Sequence, residues 1–331
     1  MKASVLYIST PKFIDLIIEH IHLCSKINFT LILCLEKNEE LEYELLKHLQ
    51  QSNIRLILLK NTSNKLWISI KITLLSFIHN PRAIHLDGLS GVTSLILILR
   101  FKKTIVSLHD VKPHTGEDVW FNLIRDKLLF LPRQIVLFSK YSFNQYNKLY
   151  YRKNNSSLIN LPVYSKIFEI VNEENSKISF ENYYLIFGRI SPYKGIEKFI
   201  QEFISTNSKN EKLIIAGLPN YDFKPIPDKN IQYILEYISY GRLKYLLNYC
   251  NGVIVPYLDA TQSGVVSTAK AFNKKIYMRK IDAFLEFKND TSIKLYNDKF
   301  NCEILEFPIE PKNLNFNKNY YSQFMKIYND L

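Results

Sequence analysis

Glycine is scarce in this chain, with nine in 331 residues, and none of the nine falls in a GxGxxG or a GxxxxGK[ST] run. The first absence excludes the pyrophosphate turn of nicotinamide and flavin dehydrogenases, and the second excludes a P-loop kinase. The four cysteines, Cys24, Cys34, Cys250 and Cys302, include no CxxC pair and do not cluster with histidine. That excludes a zinc ribbon or a dithiol redox site and predicts buried free thiols in a reducing compartment. No run reaches the ~20 apolar residues of a membrane span, and MKASVLYIST enters an apolar strand-like run too early for a signal peptide. A cytoplasmic, non-integral protein is expected. The basic residues are scattered and carry no nucleic-acid-binding motif, so a nucleic acid is not among the expected partners.

What is present is a well-mixed, foldable composition, 47% hydrophobic and 22% charged, on a chain too long for one core. Short β-type runs at 4–8, 30–35, 54–59, 83–86, 104–108 and 134–138 alternate with helical patterns, including one near 117–130. After a polar break at 152–182 a second series begins, with runs at 183–187, 212–217, 231–235, 252–257 and 275–278. Strict β/α alternation predicts parallel sheets covered on both faces. Two Rossmann-like domains are expected, 1–165 and 166–331, with the apolar pattern of Tyr320, Phe324, Met325 and Tyr328 closing the second as a terminal helix. Their charge differs. Residues 1–165 hold 21 Lys and Arg against 12 Asp and Glu, and residues 166–331 hold 22 against 19. The basic first half suits an anionic membrane surface or a phosphorylated substrate. Within it, KLWISIKITLLSFIHNPR (65–82) fits either an interfacial helix or a core helix with charged ends.

The stretch YYLIFGRISPYKGIEKFIQE (183–202) runs from an apolar strand through a Gly/Arg/Lys turn into a helix. A phosphate there would meet Arg189, Lys194 and unpaired backbone N–H groups beside Gly188; an ordinary strand–turn–helix with two solvated cations has the same spacing. Ser263, Gly264, Val265 and Val266 open a later helix, as a second set of phosphate-facing amides or as a plain N-cap with Ser263 as its cap. His109 and Asp110 follow the strand at 104–108, at the carboxyl edge of the first sheet, where ligands of such folds bind.

Three segments, FGRISPYKGIE (187–197), VPYLDATQSGVVSTAKAF (255–272) and LHDVKPHTG (108–116), together resemble the GT-B-fold glycosyltransferases of family 4. The likeness implies a GT-B fold and a retaining, metal-independent transfer of sugar from a nucleoside-diphosphate donor. It gives Arg189 and Lys194 to the donor diphosphate, the 263–266 amides to the same group, and His109 to the transferred sugar. Asp110 and His114 are implied at the sugar or the acceptor, and His85 is a weaker acceptor-side candidate. It further implies a glycan or lipid-linked saccharide as acceptor, in bacterial surface polysaccharide assembly at the inner face of the cytoplasmic membrane.

The chain departs from the family at one place. A Glu-x7-Glu pair is common there, and alignment on Gly264 puts Thr261 and Ala269 at its two positions. The ribose contact usually made by the second carboxylate is therefore missing, and Asp259 or Gln262 is left to meet the sugar. The same departure motivates an alternative, a catalytically degenerate relative that binds nucleotide or glycan as a scaffold.

Overall fold

The computed structural model describes residues 4–330 apart from 38, 61–64, 89–90, 102, 112–130, 133, 151–154, 208, 298, 307–316 and 318. The helix expected near 117–130 and His114 lie outside the described residues. The chain forms two compact units, Met1–Pro162 with Phe316–Leu331, and Val163–Asn315.

In the first unit seven parallel strands, β1 (Ser4–Ser9), β2 (Asn28–Leu35), β3 (Arg55–Lys60), β4 (Ala83–Asp87), β5 (Thr104–Leu108), β6 (Gln134–Leu137) and β7 (Ser156–Leu158), lie in the order β3-β2-β1-β4-β5-β6-β7. Leu6 pairs with Thr30 on one side and Ile84 on the other. The central strands β4 and β5 are buried at every position, as expected where helices cover both faces and no polar face is needed.

The last helix, Tyr320–Asp330, corrects the sequence expectation. It packs on the first sheet: the Phe324 ring lies 4.5 Å from His20 and the Tyr328 ring 6.2 Å from Phe29. The apolar spacing of Tyr320, Phe324 and Tyr328 defines a buried face but does not say which sheet it covers. His85 is corrected too. It is fully buried under this helix, bonded to Tyr328 Oη at 2.7 Å and Ser107 Oγ at 2.8 Å, and has no acceptor-facing surface.

The second unit holds β8 (Tyr184–Phe187), β9 (Leu213–Ala216), β10 (Ile231–Ile234), β11 (Gly252–Val255), β12 (Lys275–Arg279) and β13 (Ile293–Tyr296), in the order β10-β9-β8-β11-β12-β13 and all parallel. Ile196, Phe199, Ile200 and Phe203 of the helix Ile196–Thr206 recur at i, i+3, i+4 and i+7 and are all 0% exposed. They form the core with Ile186 and Ile215. In each sheet the strand order reverses beside the first strand of the series, at β1/β4 and at β8/β11. Such a switch point leaves a crevice at the carboxyl ends of the strands.

Candidate functional site

The loop after β8 and the loop after β11 meet at the second unit's switch point. Gly188 leaves β8 with φ +86°, a left-handed conformation that side chains rarely adopt. A Cβ there would lie 3.3 Å from Lys194 Nζ and 3.8 Å from Val265 Cγ2, so Gly188, the Lys194 ammonium and the start of the helix Gly264–Ala271 converge on one spot. The loops are tied together by Leu258 N–H donating to the Tyr193 carbonyl at 2.9 Å. Gly217, at the end of β9, braces the arrangement from behind: a Cβ on it would sit 2.2 Å from the Gly188 carbonyl oxygen. Since both groups are backbone, Gly217→Ala is expected to displace Gly188. The expected cost is about 1–3 kcal/mol of stability, read by urea titration.

Lys194 closes a one-turn helix, Pro192–Lys194, and is 5% exposed. Among the described residues no carboxylate meets its ammonium. Nζ lies 5.3 Å from the centre of the Tyr257 ring, a cation–π contact. Burial, with the nearby Arg189 cation adding to it, lowers the ammonium to about 7. Arg189 is exposed at the rim. The sequence pointed to these two cations, but Lys194 is a buried and uncompensated charge rather than a solvated one. In the same loop the Ser191 hydroxyl is buried and has no hydrogen-bond partner among the described residues.

Ser263 caps the helix Gly264–Ala271, its Oγ accepting from Val266 N–H at 3.4 Å. The N-cap reading of this segment is the one the geometry shows. Val266 is withdrawn from the expected set, because its amide is occupied by the cap and its side chain is buried. The amides of Gly264 and Val265 have no acceptor within the helix and start it beside Lys194. Asp259 is exposed, Thr261 is buried and Gln262 is half-buried. Ala269 is 0% exposed and presents no polar group to a ribose.

A second constellation occupies the switch point of the first unit. His109, just past β5 and 8% exposed, is bonded through Nε2 to Asp87 Oδ1 at 2.5 Å. Its ring stacks on Phe13, with centroids 3.8 Å apart and planes within 5°. The other Asp87 oxygen accepts from Ser9 Oγ at 2.7 Å and Tyr7 Oη at 3.3 Å. Burial works to raise the Asp87 carboxyl, but the charge and hydrogen bond of His109, with Ser9 and His85, outweigh it and hold the group below its ordinary range. Asp15 lies close enough for the His109 and Asp87 charges to act on it, and burial raises it to about 6 despite the bond from Leu16 N–H. A histidine oriented by a carboxylate, with a second carboxyl nearby that titrates close to neutrality, can hold or move a proton. Asp110 is half-buried beside it. Sequence reading missed Asp87 as the partner of His109. The signal was its place at the end of the neighbouring strand, 22 residues upstream. Among the described residues no cluster of three His, Cys, Asp or Glu side chains could hold a metal ion.

The two parallel Rossmann-like sheets make this a GT-B fold, and solved structures of that class align with the whole chain. UDP-GlcNAc 2-epimerase of Methanocaldococcus jannaschii is 14% identical, with a TM-score of 0.64 over 100% of both chains. HepE of Anabaena, solved in complex with UDP and glucose, is 12% identical, with a TM-score of 0.65 over 98% of this chain and 97% of that one. Sucrose-phosphate synthase of Thermosynechococcus elongatus is 12% identical, with a TM-score of 0.62 over 99% and 91%. No protein-family model and no curated protein sequence matches the chain.

Proposed function

We propose that the protein is a retaining glycosyltransferase of family 4 type, moving a sugar from a nucleoside-diphosphate donor to a glycan or lipid-linked saccharide in bacterial surface polysaccharide assembly. The observation that carries this reading is the buried Lys194 ammonium, which no carboxylate among the described residues compensates and which sits beside Gly188 and the first turn of the helix Gly264–Ala271. A buried cation without a counterion is costly, and a dianionic ligand at that spot removes the cost. Aligned structures solved with UDP or UDP-sugars agree with the choice of ligand.

In this reading Arg189 and Lys194 grip the diphosphate, and the amides of Gly264 and Val265 complete its shell. As the bond between the anomeric carbon and the β-phosphate oxygen breaks, negative charge grows on that oxygen, where these fixed donors favour it more than in the ground state. Transfer with retention is a front-face step: the acceptor oxygen bonds to the anomeric carbon from the departing side, and its proton passes to the leaving diphosphate. His109, fixed by Asp87 and Phe13, is assigned to the sugar, with Asp110 and His114 on the sugar or acceptor side. Asp259, Thr261 and Gln262 stand where the family holds the sugar. The cations replace a metal in this scheme, so turnover is expected to survive chelation.

Release of nucleoside diphosphate from UDP- and GDP-sugars tests the reading. Arg189→Ala that remains folded is expected to lose about 10²–10³-fold in turnover, the effect of deleting one electrostatic donor. Normal turnover in that variant would refute the assignment. Nucleotide bound with no release at all would favour the scaffold suggested by Thr261 and Ala269. The Asp87–His109 pair with Asp15 nearby also favours a second reading, epimerisation of the donor sugar by proton transfer; an isomerised donor formed without any acceptor would establish it.

A further inference from the structure

The helix Lys65–His79 is apolar on two sides. Ile68, Ile72 and Leu75 face the core of the first unit. On the other side Trp67, Ile70, Leu74, Phe77 and Ile78 follow helical spacing and are exposed, Trp67 by 58% and Ile78 by 75%. The neighbouring helix Gly91–Arg100 extends this surface with Leu99, 66% exposed. Ser69 and Thr93 hydroxyls bond across the pair at 2.5 Å, and the Arg100 guanidinium sits 5.0 Å from the Phe77 ring centre. Large apolar side chains clustered on one face are the mark of an interaction surface.

Charge identifies the partner. Residues 45–109 contain nine Lys and Arg and a single acid, Asp87, and that acid is buried and bonded to His109. Arg55, Lys71, Arg82 and Arg100 are exposed, and neither helix carries an Asp or Glu. Among the described residues no helix is long and apolar enough to cross a membrane. An apolar stripe with an aromatic anchor, cations around it and no acid on either helix matches a helix lying in the plane of a bilayer whose headgroups are anionic.

We infer that the face formed by the helices Lys65–His79 and Gly91–Arg100 docks on an anionic membrane surface, with Trp67, Leu74 and Ile78 entering the headgroup boundary and the surrounding cations neutralising lipid charge. This goes beyond the donor assignment and would bring the protein to a lipid-linked acceptor.

The test is flotation of the full chain with vesicles of phosphatidylcholine alone and of phosphatidylcholine mixed with phosphatidylglycerol. Binding to the mixed vesicles only is expected, with release at high salt. In a Trp120→Phe background the emission of Trp67 should shift to the blue on binding. A Lys71→Gln/Arg82→Gln variant should partition on the order of tenfold more weakly, at a few-fold per cation. A Leu74→Glu/Ile78→Glu variant, which alters only exposed positions, should not bind. Absence of flotation, equal flotation on neutral vesicles, or undiminished binding of the Leu74→Glu/Ile78→Glu variant would overturn the inference. So would a lipid-free dimer that this variant abolishes, since it would give the face to a second copy of the chain. No donor or acceptor is used, so these results are independent of the nucleotide assignment.

Discussion

Lys194→Met is expected to cut donor turnover by about 10²–10³-fold while making the protein more stable. The two effects have one cause. An ammonium held at about 7 against an ordinary 10.5 costs the folded state on the order of 5 kcal/mol in its charged form, and methionine fills the same space without charge. The pH dependence follows from the proton balance. Between pH 7 and 10.5 the unfolded chain binds more protons than the folded one, so the wild type gains stability as pH rises through that window. The advantage of Lys194→Met should be largest at or below pH 7 and fade towards 10.5, which urea titrations at several pH values would show. Function runs the other way. A diphosphate needs the lysine charged, so above pH 7 the free protein must take up a proton to bind. Affinity should fall by up to tenfold per pH unit there and stay level below it. A Lys194→Met protein with normal turnover, or one less stable at neutral pH, would contradict this role.

Acid should unfold the first unit by way of its buried histidines. Tyr320, His20, Tyr328, His85 and Ser107 form one chain of hydrogen bonds, with His20 Nδ1 to Tyr320 Oη at 3.0 Å and His20 Nε2 to Tyr328 Oη at 2.9 Å, continuing from Tyr328 through His85 to Ser107. Each neutral imidazole offers one donor and one acceptor, so the bonds can all run in one direction. A proton on either ring adds a second donor and breaks the sequence. Burial accordingly pushes both histidines down, His85 to about 4. With folded values below the ordinary 6.5, the unfolded chain binds more protons from pH 6.5 down to about 4. Stability is complete above 6.5 and falls through that window, by on the order of 3 kcal/mol from His85 alone. Asp15, raised to about 6, opposes this loss with a single group. Tyr328→Phe keeps the packing but removes the hydroxyl that bonds both rings. It is expected to cost roughly 2–4 kcal/mol, since two buried nitrogens lose their partner. Circular dichroism melts of wild type and Tyr328→Phe between pH 4 and 7 would measure both effects, and a melting temperature that does not vary across that range would refute the account.

Local pattern carried much of the fold. Apolar runs bounded by polar turns marked all eleven expected strands within a residue or two of those observed, because a doubly covered parallel strand is apolar along most of its length. β7 (Ser156–Leu158) and β13 (Ile293–Tyr296) escaped: the first is short, polar and at a sheet edge, and the second is interrupted by Lys294. In the site, Gly188, Arg189 and Lys194 were legible because they share one turn. What local pattern does not encode is what a distant segment places against a residue. Tyr257 under Lys194, Asp87 against His109 and Tyr328 between His20 and His85 are all contacts made by the fold. The helix Lys65–His79 shows the same limit: its composition fits a core helix or an interfacial one, and only the fold shows that Ile68, Ile72 and Leu75 meet the core while Trp67, Leu74 and Ile78 are exposed.

The central claim is that Lys194 and its surroundings bind a nucleoside diphosphate. Calorimetric titration of the wild type and of Lys194→Met with UDP and GDP at pH 8, in two buffers of different ionisation enthalpy, tests it most directly. The account predicts that one nucleotide binds the wild type with uptake of a proton, and that Lys194→Met loses both the affinity and the uptake. Equal affinity in the two proteins, or no binding of either nucleotide to the wild type, would contradict it.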